Sequence, residues 1–92
     1  DKLALIELKR ILNQSGCLIL TIPGDWRRKE TIEYDHPDGN GHYRDYGLNF
    51  LPVLKDIFFR IESIDLFKYD FIYNLPLGLT DKHDFVFLCY KD

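Results

Sequence analysis

The chain has 92 residues, room for one small domain, with 46% hydrophobic and 29% charged residues. A net charge of −3 with acids and bases interleaved offers no basic footprint for nucleic acid or for an anionic membrane surface. No apolar stretch approaches the roughly 20 residues that span a bilayer. Cys17 and Cys89 are the only cysteines, and both sit inside apolar runs. They read as free, buried thiols, which suits a reducing, cytoplasmic setting better than secretion.

In chain order, Leu3, Leu5, Ile6, Leu8, Ile11 and Leu12 recur at helical spacing, with Glu7, Lys9 and Arg10 on the other face. This spacing predicts a helix over 2–14, stopped by Gly16. The run Cys17-Leu18-Ile19-Leu20-Thr21-Ile22, ended by Pro23-Gly24, is apolar without alternation. It predicts a short strand buried on both faces, as in a parallel sheet. Helix, tight glycine turn and two-faced strand make the αβ half of a βαβ unit, so the fold class expected is α/β, part of a doubly wound sheet.

Residues 24–47 carry no sustained period, and a connection this long in a compact domain is expected to be functional or mobile. A short element is weakly signalled near Glu30–Tyr34. Asn49 is the expected N-cap of a second helix over 50–58, with Pro52 in its first turn. Arg60–Leu66 and Phe85–Tyr90 read as further strands. The link between them, 67–84, is unusually apolar, with Phe67, Tyr69, Phe71, Ile72, Tyr73, Leu75, Leu77 and Leu79. It packs on its own domain or forms an interaction surface.

No G-x-G-x-x-G, no G-x-x-x-x-G-K and no strand–glycine-turn–helix that could cradle a nucleotide occurs. Asp38-Gly39-Asn40-Gly41 reads as a turn. His36 and His42, near Asp35 and Asp38, have none of the spacings of metal sites, so no metal is expected. The segment His42-Tyr43-Arg44-Asp45-Tyr46-Gly47 concentrates one imidazole, one guanidinium and two phenols. Imidazole can act as a base near neutral pH, and a guanidinium can clamp a carboxylate or phosphate. The same residues could instead staple the loop to its own domain. Asp25 and Trp26 follow the carboxyl end of the first strand, where open parallel sheets bind ligands. They are pocket candidates by position, although Trp26 could equally cover the sheet end.

Glu7-Leu8-Lys9-Arg10-Ile11-Leu12, through Ser15-Gly16 into Leu18-Ile19-Leu20-Thr21-Ile22-Pro23, resembles class I S-adenosylmethionine-dependent methyltransferases. There a helix ending in a Pro-Gly or Gly-Gly turn feeds the fifth strand of the sheet. Gly41-His42-Tyr43-Arg44-Asp45-Tyr46-Gly47, then Phe50-Leu51 and Phe58-Phe59, is similar to the family's segment leading into the helix before strand six. Here Asn13-Gln14-Ser15-Gly16 stands for the usual Lys-Pro-Gly-Gly turn.

The resemblance spans essentially all 92 residues but only the C-terminal part of the family's domain. It implies a Rossmann-like sheet whose strands six and seven, Arg60–Leu66 and Phe85–Tyr90, form a terminal antiparallel pair. It also implies methyl transfer to a small-molecule acceptor. His42 is then the base or acceptor-orienting group, Arg44 and Tyr46 hold the substrate, and Asp25 and Trp26 line the pocket mouth. S-adenosylmethionine is the cofactor of the parent. The first strand, its glycine-rich loop and the acid for the ribose are missing, so the chain alone should be inactive and without a cofactor.

The chain also opens on Asp1 in what reads as mid-helix, as a fragment would. Such a piece should leave one sheet face bare and one strand edge open, and should form a homodimer or larger homo-oligomer through either or through the 67–84 link. The alternative is a non-catalytic interaction module working through that link.

Overall fold

The computed structural model describes residues 2–37, 39, 41–68 and 84–92. Most of the apolar link, Tyr69–His83, and Asp38 and Asn40 of the loop lie outside the described residues, so the interaction-module reading of the link is not addressed by them. The fold is mixed α/β. Helix α1 (Lys2–Ile11) leads into β1 (Cys17–Leu20), and the short strands β2 (Ile32–Glu33) and β3 (Arg44–Asp45) form a hairpin within the following loop. A 3-10 turn (Leu48–Phe50) runs into α2 (Leu51–Ile57), followed by β4 (Arg60–Asp65) and β5 (Phe85–Tyr90).

The larger sheet has the order β1-β5-β4, and β5 is antiparallel to both neighbours. The last strand therefore lies in the middle, and β1 and β4 run parallel to each other without touching. Register places Leu18 and Ile61 on either side of Cys89, and Leu20 beside Phe87. Directly paired residues share a face, so Leu18, Leu20, Phe87 and Cys89 look the same way. Leu5 of α1 and Leu54 and Ile57 of α2 are buried in one core with Phe87 and Cys89, which puts both helices on that face.

Among the described residues nothing covers the other face. Ile19, at 70% exposure, stands there beside Leu88. The expectation of a strand buried on both faces is corrected for the described residues: β1 is apolar on both faces but they cover it on one, leaving the bare face expected of a partial sheet. Its outer edge likewise pairs with no described strand.

The helices differ from their sequence patterns in instructive ways. In α1 only Leu5 is buried, while Leu3 and Ile11 are exposed. Lys9, assigned by pattern to the polar face, turns inward instead. Its ammonium donates to the Ile57 carbonyl (2.7 Å) at the end of α2, where an unpaired carbonyl and the negative end of the helix dipole favour a cation. Lys91 does the same for α1, donating to the Leu12 carbonyl at 2.7 Å. The helix ends at Ile11 rather than 14. Ser15, not Gly16, adopts the left-handed conformation after it, with φ 61°.

Asn49 does not cap α2. Phe50 occupies that position without a side-chain cap, and the Asn49 carboxamide is engaged elsewhere.

Cys89 is fully buried and Cys17 half-buried, both as free thiols. Burial raises the Cys89 thiol from 9.0 to about 11. The unfolded chain therefore loses this proton first. The stability tied to it is intact below pH 9 and falls as pH rises toward 11. In urea titrations at pH 8 and 10.5, the wild-type midpoint should fall more between the two pH values than that of Cys89→Ala. Equal falls would show that the thiol contributes nothing.

Candidate functional site

The loop from Gly24 to Gly47, patternless in sequence, is sewn to the end of β1 by its own backbone. Tyr46 N–H donates to the Pro23 carbonyl (2.9 Å), and Asp25 N–H donates to the Tyr46 carbonyl (2.8 Å), a parallel bridge between Gly24 and Tyr46. This close approach needs glycine: a Cβ on Gly24 would lie 2.7 Å from both the Tyr46 carbonyl oxygen and the Trp26 ring. At the other end a Cβ on Gly47 would collide with the Glu30 backbone.

Arg28 spans the loop. Its guanidinium donates to the Glu30 carbonyl (2.7 Å), the Asp45 carbonyl (2.7 Å) and the Asp45 carboxylate (3.4 Å). Thr31 Oγ1 donates to Asn49 Oδ1 (2.6 Å) and accepts from Gly47 N–H (3.1 Å), while Asn49 Nδ2 donates to Glu30 (3.1 Å). Arg28, Thr31 and Asn49 thus fix the loop, and sequence reasoning had not singled out the first two. Arg28 sits in a short basic run, Arg27-Arg28-Lys29, which ordinarily marks a solvated surface. No spacing rule links it to Asp45.

On this frame the β2–β3 hairpin presents a cleft of about 560 Å³ lined by Pro23, Glu33, Tyr34, Gly41, His42, Tyr43, Arg44 and Tyr46. Three of the five site residues expected from sequence, His42, Arg44 and Tyr46, are gathered here. Arg44 Nε donates to Glu33 Oε1 at 2.9 Å, directly across the hairpin. A hydrogen bond to Tyr46 first, and the Glu33 carboxylate second, hold its guanidinium more firmly protonated than usual. Arg44 therefore remains cationic while crossing from the hairpin to the Tyr46 phenol, so part of the stapling role applies alongside any role in binding. Tyr46 in turn rests on Phe50, ring centroids 4.5 Å apart, which connects the cleft wall to the core.

The other two expected residues lie elsewhere. The Asp25 carboxylate accepts from Arg27 N–H (3.1 Å). That amide, helped by the Arg27 and Arg28 cations, holds it below the usual carboxylate range. Trp26 is 6% exposed and meets Phe87 edge-to-face at 4.8 Å. Neither borders the cleft; Trp26 covers the end of the sheet. Among the described residues no group of three or more His, Cys, Asp or Glu side chains could hold a metal ion, and no helix is long and apolar enough to cross a membrane.

No protein-family model, no curated protein and no solved structure matches this chain.

Among the described residues the buried indole N–H of Trp26 has no hydrogen-bond partner; an unmet donor of this kind costs about 1–3 kcal/mol. Trp26→Phe removes that donor while keeping a ring against Phe87. It should change stability by no more than about 1 kcal/mol, whereas Trp26→Ala should cost about 3–5 kcal/mol. Chemical denaturation measures both. A Trp26→Phe loss as large as that of alanine would mean the N–H has a partner in solution.

Proposed function

We infer that this chain is the acceptor-side segment of a class I S-adenosylmethionine-dependent methyltransferase, the C-terminal part of a doubly wound sheet, acting on a small-molecule acceptor. The observation that carries the reading is the cleft beyond the carboxyl end of β1, where the loop gathers His42, Arg44 and Tyr46. The antiparallel pairing of β4 with β5 is in keeping with the terminal strand pair that the sequence resemblance implies.

Nothing in the sequence fits the methyl donor, because no glycine-rich turn follows a strand into a helix. The residues of this chain act on the acceptor instead. His42, half-buried in the cleft wall, takes the proton that the attacking atom sheds. Arg44 and Tyr46, locked together on the hairpin, orient the acceptor. Such positioning accounts for much of the acceleration of a two-substrate displacement.

Calorimetric titration of S-adenosylmethionine into the 92-residue chain should give no heat of binding; micromolar binding would place a donor site within these residues and overturn the acceptor-side assignment. In an enzyme joining these residues to donor-binding strands, His42→Ala should lower kcat by about 10²–10⁴-fold and Arg44→Ala should raise KM. Unchanged turnover and affinity would remove both roles.

Self-association is a second reading, favoured by the exposure of Ile19 on a face that no described residue covers, in a strand whose outer edge pairs with no described strand. Unpaired strand edges recruit further strands, and a second copy of β1 is the simplest one available. Sedimentation at tens of micromolar should show a dimer that Ile19→Lys returns to monomer. A monomeric wild type would end this reading.

A further inference from the structure

The ladder of the β2–β3 hairpin runs on by one residue pair toward its tip. Tyr34 N–H donates to the Tyr43 carbonyl at 2.8 Å, continuing the register that sets Ile32 opposite Asp45 and Glu33 opposite Arg44. Tyr34 and Tyr43 are therefore directly opposed. Opposed residues of an antiparallel pair carry their side chains on one face, with Cβ atoms about 4.5–5.5 Å apart. Tyr34 is 36% exposed and Tyr43 60% exposed, and both border the cleft of about 560 Å³. The core draws in Tyr46 from the same loop, while these two rings are presented to solvent beside each other.

His42, Tyr46 and Pro23 add three more flat rings to the border. Tyr46 is braced by Phe50, centroids 4.5 Å apart, so that part of the wall is held in place before any ligand arrives. Aromatic faces and edges carry opposite partial charge, and they gain most from another aromatic ring set in offset or edge-on contact. Tyrosine also has only two side-chain torsions to order, so it offers a large contact area at low entropic cost. Tyrosine faces attract cations as well, but Arg44, a permanent cation, already borders this cleft. Its bond to Glu33 at 2.9 Å pairs the charges of both residues with each other, so the tyrosines are left to select by shape and ring character.

We propose that Tyr34 and Tyr43 form a stacking platform for a planar aromatic ring in the cleft. Resting on the acceptor-side reading, this makes the acceptor an aromatic small molecule. Its ring lies on the two tyrosines, and a substituent reaches His42, which precedes Tyr43 in the chain and borders the same cleft.

The test is an amide-resolved NMR titration of the 92-residue protein with benzyl alcohol and with cyclohexylmethanol. The two probes share a neutral hydroxymethyl group and differ in the flatness of the ring. Benzyl alcohol should bind about two- to tenfold more tightly, shifting the amides of Tyr34, His42 and Tyr43. Tyr34→Leu and Tyr43→Leu keep apolar bulk at exposed positions; each should reduce the preference, and the double variant should bring the ratio of affinities to one. Tyr43→Phe should retain it, because the ring and not the hydroxyl is the platform. Equal affinity of the wild type for the two probes, a preference that survives in the double variant, or shifts confined to Thr21 and Phe85 would overturn the proposal.

No methyl donor enters this assay, so the two readings fail separately. Aromatic preference without methyl transfer in the joined enzyme would leave the platform standing and retire the methyltransferase. Methyl transfer without aromatic preference would do the reverse.

Discussion

The structure depends on β5. Because β1 and β4 run parallel and do not touch, no sheet exists until the last strand of the chain is inserted between them, antiparallel to both. Phe87 and Cys89, its two buried residues, then become the floor on which Leu5, Leu54, Ile57 and Trp26 pack. The ladder to β1 joins Cys17 to Tyr90, across nearly the whole chain. Such non-local pairing bears its loop-closure cost before any contact rewards it. The ends of the sheet are tied down at the same time: Lys91 N–H donates to the Gly16 carbonyl (3.1 Å), and its ammonium closes the end of α1.

The cleft is a consequence of that floor. Trp26 lies on Phe87, and Gly24 must be bare for the indole and Tyr46 to approach it. Tyr46 is thereby drawn against Pro23, bringing the β2–β3 hairpin to the carboxyl end of β1. Arg28 supplies cationic donors to the Glu30 and Asp45 carbonyls, joining two parts of the loop 15 residues apart. Hydrogen bonds to charged groups are worth more than neutral ones, and these allow a long connection with only two short strands to hold one shape. The chemistry-bearing side chains line the cleft on that shape, His42 in its wall and Arg44 between Glu33 and Tyr46.

Much of this was legible in the sequence. The order of the two helices and of β1, β4 and β5 followed from period and punctuation, with boundaries off by one to three residues at α1, β1, α2 and β4, while the β2–β3 hairpin inside the loop was not foreseen as a pair. The grouping of His42, Arg44 and Tyr46 was also legible, because they are neighbours in the chain and a short hairpin keeps neighbours together. What could not be read was direction. The pattern of α1 assigned Lys9 to solvent because it is charged, yet its long aliphatic stem lets the ammonium reach the end of α2. The carboxamide of Asn49 fits an N-cap by type, but Thr31 and Glu30 engage it first. Position after a strand suggested that Trp26 faces a pocket, while its size makes it more useful over Phe87.

The sequence by itself determined the α/β class, the lack of a glycine-rich nucleotide motif and the residues that could do acid–base chemistry, since each depends on local pattern or residue type. Only the tertiary structure decided that β5 lies between β1 and β4, that both described helices pack on one face of the sheet, and that Tyr46 brings the hairpin to Pro23 at the end of β1. Those facts depend on contacts between residues from 20 positions apart (Asp65 and Phe85) to 73 (Cys17 and Tyr90), and no local period carries information across that distance.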